Sequence, residues 1–349
     1  MLRLGGLKLD FPVVQAALAG YSDRPMRLIA RRHDAPYALR AVILDELLLR
    51  PGRHQRELMR DDPEDHPLGG QLIGSSPDRL AAAAVRLAAR GCDVIDINFG
   101  CAVRKVLRRR RGGYLLADPP AAAEIIRAVR AAVPPATPVT LKLRRGLDDS
   151  PASERKFFRI LDAALAAGVA AVTVHARTVA QRYAGPADWG FVARVKRYAG
   201  PATILGSGDL FTADDIVGML AETGVDGVTV ARGAIGNPWI FREARALLAG
   251  RPLPAPPTVA EQGRVLREHF RLTLADHPPQ RAARIMRKFG IRYSERHPHH
   301  AAVRAAFIDC RSPRDWQAVL ERWYDPQRRW PPGRRPGRPT DLIAAGATT

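Results

Sequence analysis

The amino-acid sequence predicts an α/β fold, a (β/α)8 TIM barrel, followed by a small C-terminal all-α domain. Eight short runs of apolar and β-branched residues each precede a longer helix-like stretch, over some 240 residues. Glycine-containing turns follow the seventh and eighth runs, where barrel enzymes often bind phosphate. After residue 250 only helical periodicity continues. An open, doubly wound sheet is the alternative, but eight units favour a closed barrel.

The predicted strands are short and are separated by helix-like segments. The strands are residues 12–18, 37–43, 68–73, 93–98, 138–143, 170–175, 202–206 and 226–231. The helix-like segments include 78–90, 119–132, 153–167, 187–198 and 212–223, and N-cap residues begin several of them, at Ser76, Asp118 and Thr212. No G-x-G-x-x-G motif follows the first strand, which argues against a Rossmann nucleotide site.

One connection is unusually long. About 40 residues separate Asn98 from Pro138, and some 20 of them precede the helix at 119–132. Loops of this length in compact domains are usually functional or disordered. We therefore expect a functional loop directly after the fourth strand.

Composition and periodicity predict three parts. The chain has 349 residues and 46% hydrophobic residues, which excludes a disordered protein and allows one large core with a smaller lobe. We predict a barrel at 1–250, a small basic helical domain at 251–325 and a disordered basic tail at 326–349. The helices of the second part are predicted at 260–274, 279–294 and 312–323.

The charge distribution favours a polyanionic partner. The net charge is +20, and residues 251–349 carry 19 basic against 9 acidic side chains. Only six of the 55 basic residues are lysine, so biased codon usage is the alternative explanation. A basic excess concentrated in one region is nevertheless typical of nucleic-acid binding.

Other classes of protein are excluded by what the sequence lacks. No apolar run approaches the roughly 20 residues of a membrane span, and no secretory signal is evident. Three cysteines are too few for a disulfide scaffold and lack metal-ligand spacing. We expect a cytoplasmic monomer without a metal.

Two predicted strands end in turns suited to a phosphate. The seventh strand ends in Ser207-Gly208-Asp209 and the eighth in Ala231-Arg232. Glycine allows backbone N–H groups to approach a phosphate, and an arginine adds charge. These turns predict a phosphate-bearing cofactor, with ordinary turn glycines as the alternative.

Three further polar residues lie at or near strand ends. Gln71, Lys142 and His175 belong to the third, fifth and sixth strands. A lysine between two leucines is costly to bury unless it faces an anion. Amide and cationic groups can stabilise negative charge on a reduced flavin. The set therefore fits flavin mononucleotide (FMN), although His175 alone would more often be structural.

Cys101 begins the long loop, directly before Arg104 and Lys105. A single cysteine is usually a small buried hydrophobe, the role that we assign to Cys92 and Cys310. At the catalytic end of a barrel, a thiol is a suitable acid for a carbon centre, and nearby cations tune its pKa. Cys101 is therefore the predicted acid.

Longer motifs resemble the tRNA-dihydrouridine synthase family, closest to its bacterial branch, over about residues 8–323. The most specific is the run HARTVAQRYAGPADW, which starts at His175. The other matching motifs are Ala19–Pro25, Phe99-Gly100-Cys101, Leu141–Gly146, Arg232–Trp239 and the part around Arg284–Lys288.

The resemblance implies reduction of specific uridines in tRNA to 5,6-dihydrouridine. NAD(P)H would reduce FMN, flavin N5 would pass hydride to C6, and Cys101 would protonate C5. The target base would be flipped from its stack, and the helical domain would hold the tRNA. Implied FMN contacts are Ala17, Leu18, Ala19, Gln71, Lys142, His175, Ser207, Gly208, Asp209, Ala231 and Arg232. Implied substrate contacts are Asn98, Arg177, Arg104, Lys105, Arg287 and Lys288, with Lys142 and His175 also near the uracil.

The chain departs from the family pattern at several positions. Ala17 and Leu18 replace a proline and a methionine, and Ala102 replaces the proline after the cysteine. Ser207 and Ala231 replace an asparagine and a glycine, and we expect both changes to weaken flavin binding. Residues 108–111, all arginine, replace small residues. We expect this run to contact RNA phosphates and to become ordered when RNA binds.

Two alternative functions differ in class. A flavin barrel could reduce a free pyrimidine or an enone, but a small substrate would give the basic C-terminal part nothing to bind. A flavin-free relic could use the barrel as an RNA-binding scaffold, and a flavin absorption spectrum would discriminate it. The retained cysteine, lysine, histidine and arginine favour an active enzyme.

Overall fold

Eight parallel strands close into a barrel, as the sequence predicts. The computed structural model describes residues 1–52 and 62–337. Closure occurs because the second barrel strand pairs with both the first and the third. The strands are β3 (Val13–Gln15), β4 (Ala38–Leu39), β6 (Leu68–Ile73), β7 (Val94–Phe99), β8 (Val139–Arg144), β9 (Ala171–His175), β10 (Ile204–Ser207) and β11 (Gly227–Val230).

The second predicted strand, 37–43, is wrong in one respect, because it is interrupted. Its continuation, β5 (Ile43–Leu44), pairs separately with β6. Between the two pieces the backbone N–H of Ala41 donates to the carbonyl of Ser22 and leaves the ladder. The chain therefore bends around the first barrel loop at this point.

An N-terminal hairpin that the sequence analysis did not predict closes the bottom of the barrel. β1 (Leu2–Leu4) and β2 (Leu7–Leu9) pair antiparallel. Their leucines are buried in one cluster with inward-facing residues of the strands, among them Val94 and Leu205. The amino end of the barrel is thus filled with apolar side chains, whereas polar residues occupy the opposite end.

Helices cover the outside of the barrel and form the C-terminal lobe. The predicted N-caps are confirmed: side chains of Ser76, Asp118 and Thr212 accept backbone N–H groups three residues later. The helices are α1 (Arg24–Arg31), α2 (Asp45–Leu49), α3 (Pro77–Ala88), α4 (Arg104–Leu107), α5 (Pro119–Ala132), α6 (Pro151–Ala166), α7 (Trp189–Ala199), α8 (Ala213–Thr223), α9 (Trp239–Leu248), α10 (Val259–Asp276), α11 (Pro279–Tyr293), α12 (His300–Asp309) and α13 (Pro313–Trp323).

Buried charges and aromatic rings join the C-terminal helices to the barrel. Arg24 at the start of α1 donates to both carboxylate oxygens of Asp276 at the end of α10, at 3.0 and 2.7 Å. Arg296 pairs with Glu243 of α9 at 3.1 Å, and both side chains are buried. One apolar core continues across this junction. The lobe is therefore packed against the barrel.

The predicted tail is only partly within the described residues. Residues 326–337 lie against the helices: Trp330 donates to the carbonyl of Asp325, and the N–H of Arg334 donates to the carbonyl of Arg296. The prediction of disorder for 338–349 lies outside the described residues. Among residues 1–52 and 62–337, no helix is long and apolar enough to span a membrane.

Candidate active site at the carboxyl ends of the strands

A cavity of about 860 Å³ opens where the barrel strands end. Its described lining residues come from the carboxyl ends of the strands and the loops that follow them, and include eight cations and a single carboxylate, that of Asp209. We call Lys142, Arg144, His175 and Arg232 the cavity floor. We call Arg104, Lys105, Arg108 and Arg109 the cavity rim.

Lys142 lies on the inner side of β8, because alternation along the strand places Thr140, Lys142 and Arg144 on one face. Burial, and to a smaller extent the charge of Arg144, lower the pKa of the Lys142 ammonium to about 8, against the opposing effect of Asp96. Within residues 1–52 and 62–337, no protein group accepts a hydrogen bond from this ammonium. A partly desolvated cation facing a cavity is suited to an anionic ligand.

His175 closes β9 and also faces the cavity. Burial, with the charges of Lys142 and three arginines, holds its pKa well below the ordinary value. The imidazole is therefore neutral at pH 7, with one protonated and one free ring nitrogen. Its Nε2 atom is buried without a hydrogen-bond partner among the described residues. Such an atom requires a ligand or an ordered water.

The turn after β10 can hold a phosphate closely. Gly208 has a φ of +130°, and a Cβ atom there would lie 2.8 Å from the Cβ of Ala187. The Asp209 carboxylate accepts from Arg177 at 2.7 Å and from the N–H of Ala187 at 2.8 Å. The aspartate thus fixes the turn, and the absence of a side chain at Gly208 lets the turn pack closely against Ala187 at the cavity wall.

The turn after β11 begins at Ala231 and continues into Arg232. Ala231 has a φ of −107° and a ψ of −97° and lines the cavity. The Arg232 guanidinium lies over the rings of Tyr183 and Phe211, at 4.5 and 5.0 Å from their centres. Two aromatic rings therefore hold this cation beside the glycine turn.

Cys101 lies at the mouth of the cavity, on a loop anchored at both ends. Its N–H donates to Asn98 Oδ1 at 3.0 Å, and its carbonyl accepts the N–H of Gly113 at 2.9 Å. Burial raises the pKa of the thiol, whereas the Val103 N–H and the Arg144 charge oppose the shift. The tuning cation is Arg144, not the predicted Arg104 or Lys105. A protonated thiol can act as an acid.

Four predicted contacts do not line the cavity. Gln71 is buried below it, and Arg177 is held by Asp209 and the Gly185 carbonyl. Lys288 donates to the carbonyl of Gly20 and lies 4.7 Å from the ring centre of Tyr21, and Arg287 is its neighbour on α11. The other predicted site residues all line the cavity: Ala17, Leu18, Ala19, Asn98, Cys101, Arg104, Lys105, Lys142, His175, Ser207, Gly208, Asp209, Ala231 and Arg232.

The arginine run behaves differently from its prediction. Residues 104–107 form α4 and 112–117 form a 3-10 helix, so the run lies between two short helices. Arg111 is only 5% exposed and forms an ion pair with Glu46 of α2. The other three arginines of the run, Arg108, Arg109 and Arg110, are exposed. The expectation that all four contact phosphates is therefore wrong for Arg111, whereas ordering of the run on RNA binding stays a prediction.

Sequence reasoning missed several cavity residues. Arg144 donates to the carbonyls of Gly100, Thr178 and Arg182, at 2.7 to 2.9 Å, and so joins two loops. Period-two alternation from Lys142 could have found it. Tyr183 and Phe211 lie in loops, where no periodicity indicates which side chains point inward.

Fold and cavity together define the class of protein: a barrel enzyme with a cationic site built for anionic ligands. Among the described residues, no three His, Cys, Asp or Glu side chains could hold a metal ion. The family model described as Dihydrouridine synthase (Dus) matches residues 14–325. The chain belongs to the dihydrouridine synthase family and is an oxidoreductase.

Curated relatives match over most of their length. A "Probable tRNA-dihydrouridine synthase" of Mycobacterium tuberculosis is 35% identical, over 92% of this chain and 84% of that protein. A "tRNA-dihydrouridine synthase B" of Pseudomonas aeruginosa is 35% identical over 82% and 85%. One of Xanthomonas campestris is 32% identical over 93% and 96%.

Solved structures support the barrel fold alone, because their identities are low. A 2-naphthoyl-CoA reductase complex matches with a TM-score of 0.56 and 15% identity, over 72% of this chain and 52% of that one. An old yellow enzyme homologue from Zymomonas mobilis matches with a TM-score of 0.51 and 14% identity, over 72% and 92%.

Proposed function

We propose that this protein reduces the C5–C6 double bond of specific uridines in tRNA to 5,6-dihydrouridine, with FMN as cofactor and NAD(P)H as reductant. The observation that carries the proposal is that Cys101, Lys142 and His175 line one cationic cavity. The names of the relatives support tRNA as the substrate. The three free thiols suit the reducing cytoplasm, where such a substrate is found.

The residues present fit FMN. The unpartnered Nε2 of His175 and the Lys142 ammonium supply polar groups for the ring. The turn at Ser207–Asp209, with Arg232 beside it, lines the cavity and offers backbone N–H groups and charge for the phosphate. Ala17, Leu18 and Ala19 supply cavity wall next to these groups. When bound, FMN supplies the hydride chemistry that no side chain can perform.

The residues of the chain perform the remaining tasks. Cys101, kept protonated by its burial, holds the proton that C5 of the uracil requires. Lys142 holds positive charge near the carbonyl groups where negative charge develops, and neutral His175 can hydrogen-bond without adding a charge. Asn98 also lines the cavity, and its side-chain NH2 group donates to Gln71 Oε1. Protonation and polarisation therefore come from three consecutive strands of the barrel, since Cys101 follows β7 and Lys142 and His175 belong to β8 and β9.

RNA is proposed to approach over the rim and the C-terminal helices. Arg104, Lys105, Arg108 and Arg109 surround the opening, where phosphates beside an extruded base must pass. The C-terminal helices carry further exposed arginines that can contact phosphates: Arg264, Arg271, Arg281, Arg284, Arg304 and Arg314. Lys288 instead fixes the Gly20 loop, and Arg177 fixes Asp209, so both are proposed to act by positioning.

A purified-protein assay tests the proposal against its alternatives. The protein should show a flavin spectrum, and NAD(P)H should bleach it. With unmodified tRNA, mass spectrometry should find nucleosides heavier by two hydrogens, and free uridine and a simple enone should not react. Reaction with the small substrates alone would favour a general flavin reductase. A colourless protein that binds tRNA and does not bind added FMN would favour the flavin-free scaffold.

A further inference from the structure

A chain of side-chain hydrogen bonds runs through the barrel interior below the Cys101 loop. Asp96 accepts from Thr140 Oγ1 at 2.6 Å and from Gln71 Nε2 at 2.7 Å. Gln71 Oε1 accepts from Asn98 Nδ2 at 2.7 Å. Asn98 Oδ1 accepts two backbone N–H groups at the start of the loop, at 2.9 and 3.0 Å, the second being that of Cys101.

Strand register produces this arrangement. Asp96 of β7 is level with Gln71 of β6 on one side and with Thr140 of β8 on the other. Alternation along β7 places Asn98 on the same inner face, one step closer to the cavity. Asp96 and Gln71 are 2% and 0% exposed, so water cannot substitute for a missing partner without entering the core.

The Asp96 carboxylate, at the lower end of this series of hydrogen bonds, fixes the orientation of the two amides above it. An ionised carboxylate can only accept hydrogen bonds, so Gln71 must turn its NH2 group toward Asp96 and its oxygen toward Asn98. Asn98 must then donate to Gln71 and present its own oxygen to the backbone N–H groups. If Gln71 were reversed, the NH2 group of Asn98 would face those N–H groups, and the loop would lose two acceptors.

Burial and neighbouring groups act on the Asp96 carboxyl in opposite directions. Burial raises the pKa of its carboxyl, whereas the bonds from Thr140 and Gln71 and the charge of Lys142 oppose the shift. The nearby Lys142 ammonium is in turn favoured by the aspartate. The site thus contains a charge pair without direct contact, with the hydrogen-bonded amides leading from it to the loop.

We propose that Asp96 is a positioning residue that orients the Gln71 and Asn98 amides and thereby holds the Cys101 thiol over the cavity. The significance for catalysis rests on the proposed function, since it matters only if Cys101 donates the proton. The position of the thiol can be measured independently, as the rate at which iodoacetamide alkylates Cys101 in the purified holoenzyme. Cys92 and Cys310, both buried, serve as internal controls in the same digest.

Three variants distinguish an effect of amide orientation from an effect of side-chain packing around position 96. Asp96→Asn keeps the shape but permits the reversed amides, and should raise Cys101 alkylation about five- to tenfold, the range of one hydrogen bond. The double variant Asp96→Asn with Gln71→Glu removes the carboxylate at position 96 and places one at position 71. The new amide at 96 can donate to the new carboxylate at 71, which still accepts from Asn98. This pair should return the rate to within about twofold of wild type. Thr140→Val removes one donor to Asp96 but leaves the Gln71 side intact, and should raise the rate clearly less than Asp96→Asn does.

The opposing results are equally definite. A wild-type rate in Asp96→Asn, no rescue by the double variant, or an equal effect of Thr140→Val would overturn the proposal. If Asp96→Asn alone fails to fold but the double variant folds, the role of Asp96 in orienting the amides is supported. If both variants fail to fold, Asp96 serves only in the packing of the core, and the proposal is overturned. Dihydrouridine formation by the wild type is measured in the same preparations. Absence of product there would refute the proposed function without altering the alkylation result.

Discussion

The floor and the rim of one cavity both carry positive charge, but protein groups fix the floor arginines in place, whereas the rim arginines are exposed to solvent. On the floor, Arg144 donates to three backbone carbonyls and Arg232 lies between two aromatic rings. On the rim, Arg108 and Arg109 extend from a short helix into solvent. Fixed, desolvated charge is suited to a reacting centre, whereas solvated charge is screened by salt and is suited to attracting a polyanion.

The largest expected effect comes from the thiol at the border between these regions. Cys101→Ala should retain FMN and its reduction by NAD(P)H, but should lose dihydrouridine formation by about 10²-fold or more, because the proton donor is gone. Product is measured by mass spectrometry of tRNA nucleosides. Cys310→Ala, in the C-terminal helices, is the matched control. Undiminished product formation by Cys101→Ala would refute the role of the thiol.

The floor makes a prediction about pH. Because the pKa of Lys142 is lowered to about 8, the ammonium loses its charge as pH rises through that value. If the charged form binds FMN, its dissociation constant should rise by about tenfold per pH unit above pH 8. Lys142→Met should bind FMN weakly with this dependence absent, and both are measured by fluorescence titration from pH 7 to 9.5. Wild-type affinity for FMN in Lys142→Met would show that Lys142 contributes only packing and that its charge does not bind the cofactor.

The rim predicts a dependence on salt instead. Replacing Arg108, Arg109 and Arg110 by serine should flatten the log–log salt slope of tRNA binding by up to about 2 to 3 units, at 0.7–0.9 per contact. FMN reduction should not change. The matched control replaces three exposed arginines on the outside of the barrel, Arg90 in the turn after α3 and Arg127 and Arg159 on α5 and α6. Equal slopes in wild type and the rim variant would place RNA affinity in the C-terminal helices alone.

The smallest expected effect concerns the pair that fastens the rim to the barrel. Glu46→Gln should weaken the contact with Arg111 and increase tryptic cleavage within 108–111 by about two- to fivefold, since a partly exposed pair contributes little. Arg111 also holds the pKa of Glu46 below its ordinary value, so the pair persists at neutral pH and is lost in acid. The same cleavage in Glu154→Gln, which alters an exposed pair elsewhere, provides the baseline.

Local signals were sufficient to predict the barrel. Alternation, N-caps and glycine turns are properties of short segments, and the strands formed from them bring their ends together. The same reasoning predicts that Cys101, Lys142 and His175 belong to one site, because parallel strands of a barrel end on one face. In the structure all three line one cavity.

Pairings over long sequence separations were not predictable from such signals. Nothing in the arginine run distinguishes Arg111 from its neighbours, because its burial depends on Glu46, 65 residues away. Likewise, the sequence predicts Arg177 as a substrate contact, whereas in the structure its guanidinium donates to Asp209. Charged residues reveal their role only when their partners are known, whereas apolar periodicity indicates burial directly.

Mapping dihydrouridine in tRNA from a strain that lacks this gene tests the central claim most directly. The account predicts that one or more tRNA positions lose the modification. Expression of the wild-type protein should restore it, and expression of the Cys101→Ala protein at equal level should not. An unaltered dihydrouridine map in the deletion strain, or full restoration by Cys101→Ala, would contradict the account.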